Sequence, residues 1–393
     1  MINIDRDTAI LKKMNWLAIA AIVLLAGIGL LFVYSASRIV EDQPVMRFYR
    51  QLMWLCVASG IFVYIVIRDY RKFARDSWWI YGITIILLIL VLLVGTTTGG
   101  AKRWLFFLGM GFQPAEFAKI ATIMLLAKYM SRPDVDFDRW SSVGTIFLLA
   151  GIPILLIGME PAVGTALVFV PATFAMMLIA RVRGRILTII IVTGVAFVIL
   201  ALSAIFVPAE LGCSEETQTK ILKCVGLKPY HKKRILSFFR PGNDPMGADW
   251  NKRQSAIAIG SGGLHGKGYR NGMANVLCYL PKTVAPTDFI FSVLSEEEGF
   301  IGSTAVLFLF VIVMATGMWT AATAADTLGR LLCVGMTTLV FIHVFVNAAM
   351  TMGLLPVAGL PLPLMSSGGS FLVSMMVGLG IIQSVHVRRR YVR

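Results

Sequence analysis

Residues 16–36 read WLAIAAIVLLAGIGLLFVYSA and contain no charged side chain. A helix needs about 20 mostly apolar residues to cross the hydrocarbon core of a bilayer. The run is also longer than the apolar core of a secretory signal peptide, so we predict a retained transmembrane helix. Runs of this kind recur along the chain, and their number decides the fold.

About ten apolar runs of near-spanning length divide the 393 residues. They cover residues 16–36, 52–67, 77–95, 114–130, 143–158, 163–180, 186–207, 301–322, 332–352 and 370–386. Hydrophobic residues make up 57% of the chain, whereas a soluble domain contains about 45–50%. We therefore predict an all-α polytopic membrane protein with about ten transmembrane helices, in which residues 1–393 form a single integral membrane domain.

The distribution of Lys and Arg among the short connections predicts the orientation of these helices. With a cytoplasmic N-terminus, the cytoplasmic segments hold Arg6, Lys12, Lys13, Arg68, Arg71, Lys72, Arg75, Lys128, Arg132, Arg139, Arg181, Arg183, Arg185, Arg330, Arg388, Arg389, Arg390 and Arg393. The short connections on the other side hold only Arg38, Arg47, Arg50, Lys102 and Arg103. We therefore predict that both termini are cytoplasmic. The same rule explains much of the net charge of +15, so we predict no nucleic-acid binding.

Residues 208–288 are a long polar stretch that this orientation places outside the membrane, between spans 7 and 8. The stretch carries twelve Lys and Arg against six Asp and Glu. A basic surface at the outer leaflet suits an anionic ligand such as a phosphate-bearing lipid, although contact with anionic headgroups alone is the alternative. Aromatic residues such as Trp250 and Tyr269 indicate that the stretch packs, unlike a linker.

Asp288 stands where this loop re-enters apolar sequence, in Thr287-Asp288-Phe289-Ile290. An acidic residue at such a boundary is costly unless it has a function. A carboxylate there can accept a proton from a sugar hydroxyl. It can also ligate a divalent cation that bridges a pyrophosphate leaving group. The alternative is a helix N-cap, a role that Thr287 could fill equally well.

Further acidic and basic residues flank this boundary. Glu296 and Glu297 follow Asp288 within three helical turns, but neighbouring positions on a helix point in different directions. Acids near a helix start are also favoured by the helix dipole. Lys267 lies in the glycine-rich segment 258–268 (AIGSGGLHGKG). Such a segment either brings backbone N–H groups close to phosphate or forms a tight re-entrant turn; its spacing is not that of a Walker loop.

Three charged residues belong to other spans. Glu116 and Lys119 stand three residues apart behind Pro114, so they share a helix face and can form an ion pair. An ion pair inside a span indicates a polar cavity. Glu160 ends the fifth span at the same level. For each residue, structural pairing is the alternative to catalysis.

A second irregular segment lies before the last span and is rich in Pro, Gly and Ser. It contains Asn347, Pro356, Gly359, Pro361, Pro363, Ser366, Ser367, Gly368, Gly369 and Ser370. Irregular backbone in a membrane protein is tolerated where it lines protein or water. We therefore place Ser366 at the cavity, but not as a nucleophile, because no His or Asp partner is evident.

Taken together, these segments resemble the SEDS family (shape, elongation, division and sporulation), which includes FtsW, RodA and SpoVE, and they are most similar to its RodA-like members. The resemblance covers nearly the whole chain in order. It is carried by residues 102–104 (KRW), 112–119 (FQPAEFAK), 254–255 (QS), 258–268, 287–291 (TDFIF), 353–357 (GLLPV), 360–363 (LPLP), Ser366 and 368–370 (GGS).

The resemblance implies a peptidoglycan glycosyltransferase that polymerises lipid II into glycan strands on the outer face of the bacterial cytoplasmic membrane, for cell elongation and shape. It implies a class B penicillin-binding protein and the cell elongation machinery as partners. The family's essential loop aspartate corresponds to Asp288, its outer-loop tryptophan to Trp104, and its fourth-span Glu and Lys to Glu116 and Lys119.

The resemblance also suggests a mechanism. We expect Asp288 to activate the acceptor hydroxyl, and Lys119, Lys267 or a divalent cation (Mg²⁺ or Mn²⁺) to stabilise the departing pyrophosphate. No cofactor is otherwise implied. The competing functions are a lipid II flippase, since ionisable residues within broken spans also suit transport, and a non-catalytic scaffold for a transpeptidase.

The chain departs from the family pattern at three places. The usual acid before Gly164-Thr165 is replaced by Ala162, and Glu160 stands nearby. Lys282 replaces the usual glutamate before Asp288. Residues 209–228 look like an insertion relative to the family, and we expect its Cys213 and Cys224 to form a disulfide bond, which is permitted outside the membrane.

Overall fold

The computed structural model describes residues 12–37, 44–98, 101–107, 110–160, 163–210, 217–218, 220, 222, 248–273 and 284–389. Cys213, Cys224, Ala162 and Lys282 lie outside these residues, so their predicted roles stay predictions. The helices in chain order are α1 (Trp16–Ala36), α2 (Pro44–Ile67), α3 (Tyr70–Arg75), α4 (Ser77–Val94), α5 (Pro114–Met130), α6 (Trp140–Met159), α7 (Val163–Leu167), α8 (Phe169–Ile179), α9 (Gly184–Glu210), α10 (Ala248–Ser261), α11 (Ile290–Ala322), α12 (Thr327–Thr351) and α13 (Gly369–Val387).

The prediction of an all-α membrane protein is confirmed. Within the described residues, eight helices are long and apolar enough to cross a membrane, namely α1, α2, α4, α6, α9, α11, α12 and α13. Shorter helices occupy the other two predicted spans. Helix α5 has 17 residues, and the predicted span 163–180 is divided into α7 and α8 at Val168.

The last two helices form the centre of the bundle. In the apolar stretch of each helix, 94% of the residues of α13 and 72% of those of α12 are buried, whereas only 6% of those of α9 are buried. Helix α13 packs on α2 and α5, and α11 packs on α12 and α1. Polar residues on α12 and α13 are therefore enclosed by protein, while α9 stands at the periphery.

Both termini of the bundle lie at the same end. The backbone N–H of Asn15 donates to Gln383 Oε1, and Gln383 Nε2 donates to the Asn15 carbonyl, both at 3.3 Å. These bonds join the start of α1 to the end of α13. We call this the terminal end, and the opposite end, where α1 ends and α5 begins, the loop end.

A small antiparallel sheet at the loop end connects α4 to α5, which differs from the purely helical expectation. Its strands are β1 (Thr96–Thr98), β2 (Ala101–Phe107) and β3 (Met110–Phe112), paired in that order. Threonine and aromatic residues favour extended backbone, but strands this short leave no clear alternating pattern in the sequence.

Helix α11 is folded back on itself at Gly299, which has φ of 67° and ψ of −161°. Ser303 Oγ donates to Ser295 Oγ at 2.8 Å, although residues eight apart in a straight helix are about 12 Å apart. The predicted span 301–322 is therefore the second half of α11. Residues 290–298 form a separate half-helix at the loop end.

At the terminal end, Asp326 caps α12 and joins it to α3. Its carboxylate accepts from the Gly329 N–H at 2.8 Å, from Tyr70 Oη at 2.9 Å and from Arg71 Nε at 2.8 Å. Burial alone would raise the pKa of Asp326, but these three donors hold it below its ordinary value.

We expect Asp326→Ala to lower the free energy of unfolding by about 1–2 kcal/mol, the usual cost of losing an N-cap. Because the folded-state pKa lies below the unfolded value of about 3.9, the contribution is complete above that pH and disappears as the pH falls through the folded-state pKa. Unfolding in detergent at a series of pH values measures it. Asp326→Asn is the control, since it keeps the acceptor for the helix cap. If the difference in unfolding free energy between wild type and Asp326→Ala did not change with pH, the Asp326 carboxylate would not be the source of the stabilisation.

Candidate active site

Asp288 lies in a compact turn formed by residues 284–289, directly before α11. Its backbone N–H donates to the Val284 carbonyl at 3.0 Å, and Thr287 Oγ1 donates to the same carbonyl at 3.1 Å. Helix α11 begins at Ile290 with Phe289 as N-cap and without a side-chain capping bond. The N-cap position predicted for Thr287 or Asp288 is therefore occupied by Phe289.

The Pro/Gly/Ser segment between α12 and α13 forms the facing wall. Ser366 Oγ donates to the Thr287 carbonyl at 2.5 Å and accepts from the Leu362 N–H at 2.8 Å. The Ser367 N–H donates to the Pro286 carbonyl at 2.9 Å. Ser366 is therefore an anchor of the Asp288 turn, consistent with its lack of a partner for nucleophilic catalysis.

The Asp288 carboxylate is half-buried and faces Gly359. A Cβ atom built on Gly359 would lie 3.5 Å from Asp288 Oδ2, and Gly359 has φ of +67°. Leu364 in the same segment has φ of 63°, which is rare for a residue with a side chain. Backbone held in such conformations is frequent at functional sites, where the surrounding structure determines it.

Asn347 fixes the Asp288 turn to the facing segment. Its Nδ2 atom donates to the Asp288 carbonyl at 2.8 Å and to the Leu360 carbonyl at 2.7 Å. The side chain is completely buried. In the sequence, Asn347 stands out only as part of the irregular segment, because nothing near it indicates its two acceptors.

Glu116 and Lys119 form the predicted ion pair. Lys119 Nζ lies 2.8 Å from Glu116 Oε2, and both side chains are almost fully buried. His343 of α12, for which the sequence indicates no role, lies 3.0 Å from Lys119 Nζ through its Nε2 atom. Since His343 Nδ1 lies 2.8 Å from the Leu339 carbonyl, which only accepts, Nδ1 carries the proton and Nε2 accepts from Lys119.

Trp104 and Glu160 lie around the small sheet at the loop end. The Trp104 ring packs against Gly111 of β3, 3.1 Å from where a Cβ would lie. Ser370 links β3 and the start of α5 to α13, through the Gly111 carbonyl at 3.3 Å and the Gln113 N–H at 3.2 Å. Glu160 is buried and interacts with the positive charge of Arg103, which places a second acid at this end.

Lys267, Glu296 and Glu297 form a separate cluster at the fold in α11. Lys267 Nζ lies 2.6 Å from Glu296 Oε1, which also accepts from the Met273 N–H at 2.8 Å. Glu297 accepts from Ser35 Oγ at 2.6 Å and from the Arg270 N–H at 2.9 Å. The glycine-rich segment is thus bound to the folded part of α11, as expected for a tight re-entrant turn. The positive charge of Lys267 is balanced by Glu296.

The residues present could supply few ligands to a divalent cation. Within the described ranges, no group of three or more His, Cys, Asp or Glu side chains could hold a metal ion. Asp288 could provide one carboxylate, and Mg²⁺ often binds through one or two carboxylates together with water and substrate phosphates.

An apolar groove opens on the side of the bundle beside α9. Its volume is about 1040 Å³, and its walls come mainly from α8, α9 and α12, with Phe174, Ile190 and Val334 among the lining residues. The groove is large enough for part of a long hydrocarbon chain.

Comparisons with known proteins give the family and the fold of the chain. The family model FTSW_RODA_SPOVE, described as cell cycle protein, matches residues 15–391. The chain is 36% identical over 336 residues to peptidoglycan glycosyltransferase MrdB of Escherichia coli strain K12, covering 85% of this chain and 84% of that protein. It is 32% identical over 428 residues to peptidoglycan glycosyltransferase RodA of Treponema pallidum, covering 95% and 98%. A solved structure described as "Structural coordination of polymerization and crosslinking by a peptidoglycan synthase complex" matches with a TM-score of 0.75 and 26% identity, covering 97% of this chain and 99% of that chain.

Proposed function

Since the chain belongs to the FtsW/RodA/SpoVE family and is a peptidoglycan glycosyltransferase, we propose that it joins lipid II units into glycan strands at the loop end, with Asp288 as the catalytic base. One observation carries this proposal. The Asp288 backbone is anchored by Asn347 and by the turn around Val284, and the carboxylate lies beside Gly359 of the facing segment. A carboxylate fixed in this way is suited to take a proton from a bound hydroxyl.

In the proposed reaction, the acceptor 4-hydroxyl attacks the anomeric carbon of the donor sugar. Its proton passes to Asp288, the bond from carbon to the pyrophosphate oxygen breaks, and undecaprenyl pyrophosphate leaves. The donor is α-linked and the product is β-1,4-linked, so the configuration inverts. A base on the face opposite the leaving group fits this stereochemistry.

Lys119 is the group we assign to the leaving pyrophosphate. It is buried next to Glu116 and His343, where a positive charge acts more strongly than in water. Lys267 is the alternative, and both ammonium groups are paired with a carboxylate, Lys119 with Glu116 at 2.8 Å and Lys267 with Glu296 at 2.6 Å. A divalent cation is the third candidate for this role. The apolar groove beside α9 offers space for the polyprenyl chain.

We further propose that the loop end faces outwards and that both termini are cytoplasmic, in the cytoplasmic membrane of a bacterium. The asymmetry of Lys and Arg supports this orientation, and the contact between Asn15 and Gln383 agrees with termini on one side. A class B penicillin-binding protein is the proposed partner, by analogy with the matched peptidoglycan synthase complex. Cell elongation is the proposed context.

Polymerisation by purified protein tests the proposal against its main alternative. The full chain in detergent, with and without the penicillin-binding protein, is given labelled lipid II, and the products are separated by gel electrophoresis. Glycan strands are expected. A protein that moves lipid II across vesicle membranes but forms no strands would instead be a flippase, and one that does neither would be a scaffold.

A further inference from the structure

One face of α12 carries a column of polar residues that take no direct part in the proposed reaction. His343, Asn347 and Thr351 follow one another at intervals of four and therefore share a helix face. All three are completely buried. Their contacts lie on different parts of the bundle, so the column connects elements that are far apart in the sequence.

Asn347 is the middle residue of this column. Its side chain lowers the stability of the fold, which indicates that it is present for a function. Both amide protons are used, by the Asp288 and Leu360 carbonyls. Its Oδ1 atom is buried and has no hydrogen-bond partner among the described residues. An unpaired buried acceptor costs free energy, so stability alone does not explain an asparagine here. What it provides is a double donor that joins the Asp288 turn to the segment facing it.

His343 provides the second anchor, one turn nearer the terminal end. Its Nε2 atom accepts from Lys119, while its Nδ1–H is held by the Leu339 carbonyl in the preceding turn of α12. The ring also packs on Phe371 of α13, with ring centroids 5.2 Å apart. The imidazole is thus fixed at three points and gives Lys119 a defined position.

We propose that this face of α12 sets the position of Lys119 relative to Asp288, with His343 and Asn347 as positioning residues. Four residues along a helix correspond to a rise of about 6 Å, so a rigid element holds the two anchors at a fixed separation. The inference rests on the proposed function, in which Asp288 takes the proton and Lys119 faces the leaving group. Neither positioning residue needs to touch the substrate.

Asn347→Leu removes both donors and keeps a similar volume. We expect its kcat for lipid II polymerisation to fall about 100-fold, the effect typical of an active-site displacement near 1 Å, with KM nearly unchanged. Thr351→Val is the matched control, since the Thr351 hydroxyl bonds only back to the Asn347 and Ala348 carbonyls. The control should retain the wild-type kcat. Asn347→Ser, which leaves room for a bridging water, should recover part of the rate. This variant replaces Asn347→Leu in the comparison if the leucine variant does not fold.

Backbone hydrogen exchange gives a readout that does not depend on activity. Exchange of residues 284–291 should be faster in the Asn347 variants than in wild type and Thr351→Val. Unchanged exchange, or equal acceleration in Thr351→Val, would overturn the positioning role even if wild type polymerises lipid II. Faster exchange confined to the Asn347 variants would support it even if wild type made no strands, in which case only the proposed function would fail.

The His343 pair of variants tests the other anchor. His343→Phe keeps a flat ring against Phe371 but removes the acceptor for Lys119, so its kcat should fall about 10-fold or more, as for a displaced catalytic group. His343→Gln offers an acceptor near the position of Nε2 and should restore most of the rate. Equal kcat values for the two variants would show that the hydrogen bond to Lys119 has no positioning role.

Discussion

Asp288→Asn is expected to lower the rate of lipid II polymerisation by about 10²–10⁴-fold, the range that general-base catalysis contributes. Asparagine has nearly the volume of aspartate and leaves the backbone anchors in place, but its amide cannot take a proton at neutral pH. The assay is strand formation by the purified full chain over a range of lipid II concentrations. We expect the loss of rate to appear in kcat, because the asparagine side chain still fills the space beside Gly359.

The control for this experiment is Asp138→Asn, which changes an exposed carboxylate in the connection between α5 and α6. It should polymerise at the wild-type rate. Thermal unfolding should give the same midpoint for both variants and wild type. A folded Asp288→Asn protein that makes strands at the wild-type rate would refute the assignment of Asp288 as base.

Lys119→Met is expected to lower the free energy of unfolding by about 3–5 kcal/mol, the usual cost of breaking a buried ion pair. The substitution leaves Glu116 buried without its opposing charge and His343 without its donor. Polymerisation should also fall to a small fraction of the wild-type rate. Unfolding in detergent and the strand assay measure the two effects separately.

The double variant Glu116→Gln/Lys119→Met separates stability from catalysis. Replacing both members of a buried pair by neutral groups is often nearly neutral for stability, so most of the lost stability should return. Activity should not return, because the charge facing the pyrophosphate is still absent. Lys128→Met, near the other end of α5, is the matched control. Recovery of polymerisation in the double variant would exclude Lys119 from leaving-group stabilisation.

Much of the architecture follows from local patterns in the sequence. Apolar runs locate the spans because backbone polar groups in lipid must be satisfied within the helix. The i, i+3 spacing of Glu116 and Lys119 predicts their pairing, and the 2.8 Å contact confirms it. Asp288 could be selected because a carboxylate entering apolar sequence is costly.

The remaining parts of the site depend on contacts between distant residues. His343 meets Lys119 across 224 positions, and Ser366 meets Thr287 across 79. A single histidine in an apolar run gives no indication of such a partner. The fold in α11 was missed for a different reason. Gly299 is a single glycine in a pattern that is helical on both sides, and its conformation is set by the approach of the Gly266 backbone.

The placement of these anchors has a consequence for synthesis of the protein. Among the contacts that the described residues show, Asn347 and Ser366 tie the Asp288 turn to the facing segment, and both come later in the chain than Asp288. The half-helix 290–298 is about 13 Å long, too short to cross a membrane unaided. A nascent chain inserted from its N-terminus therefore lacks these anchors of the Asp288 turn until the ribosome has made the connection to the final helix. We expect chains that end before this connection to make no glycan strands.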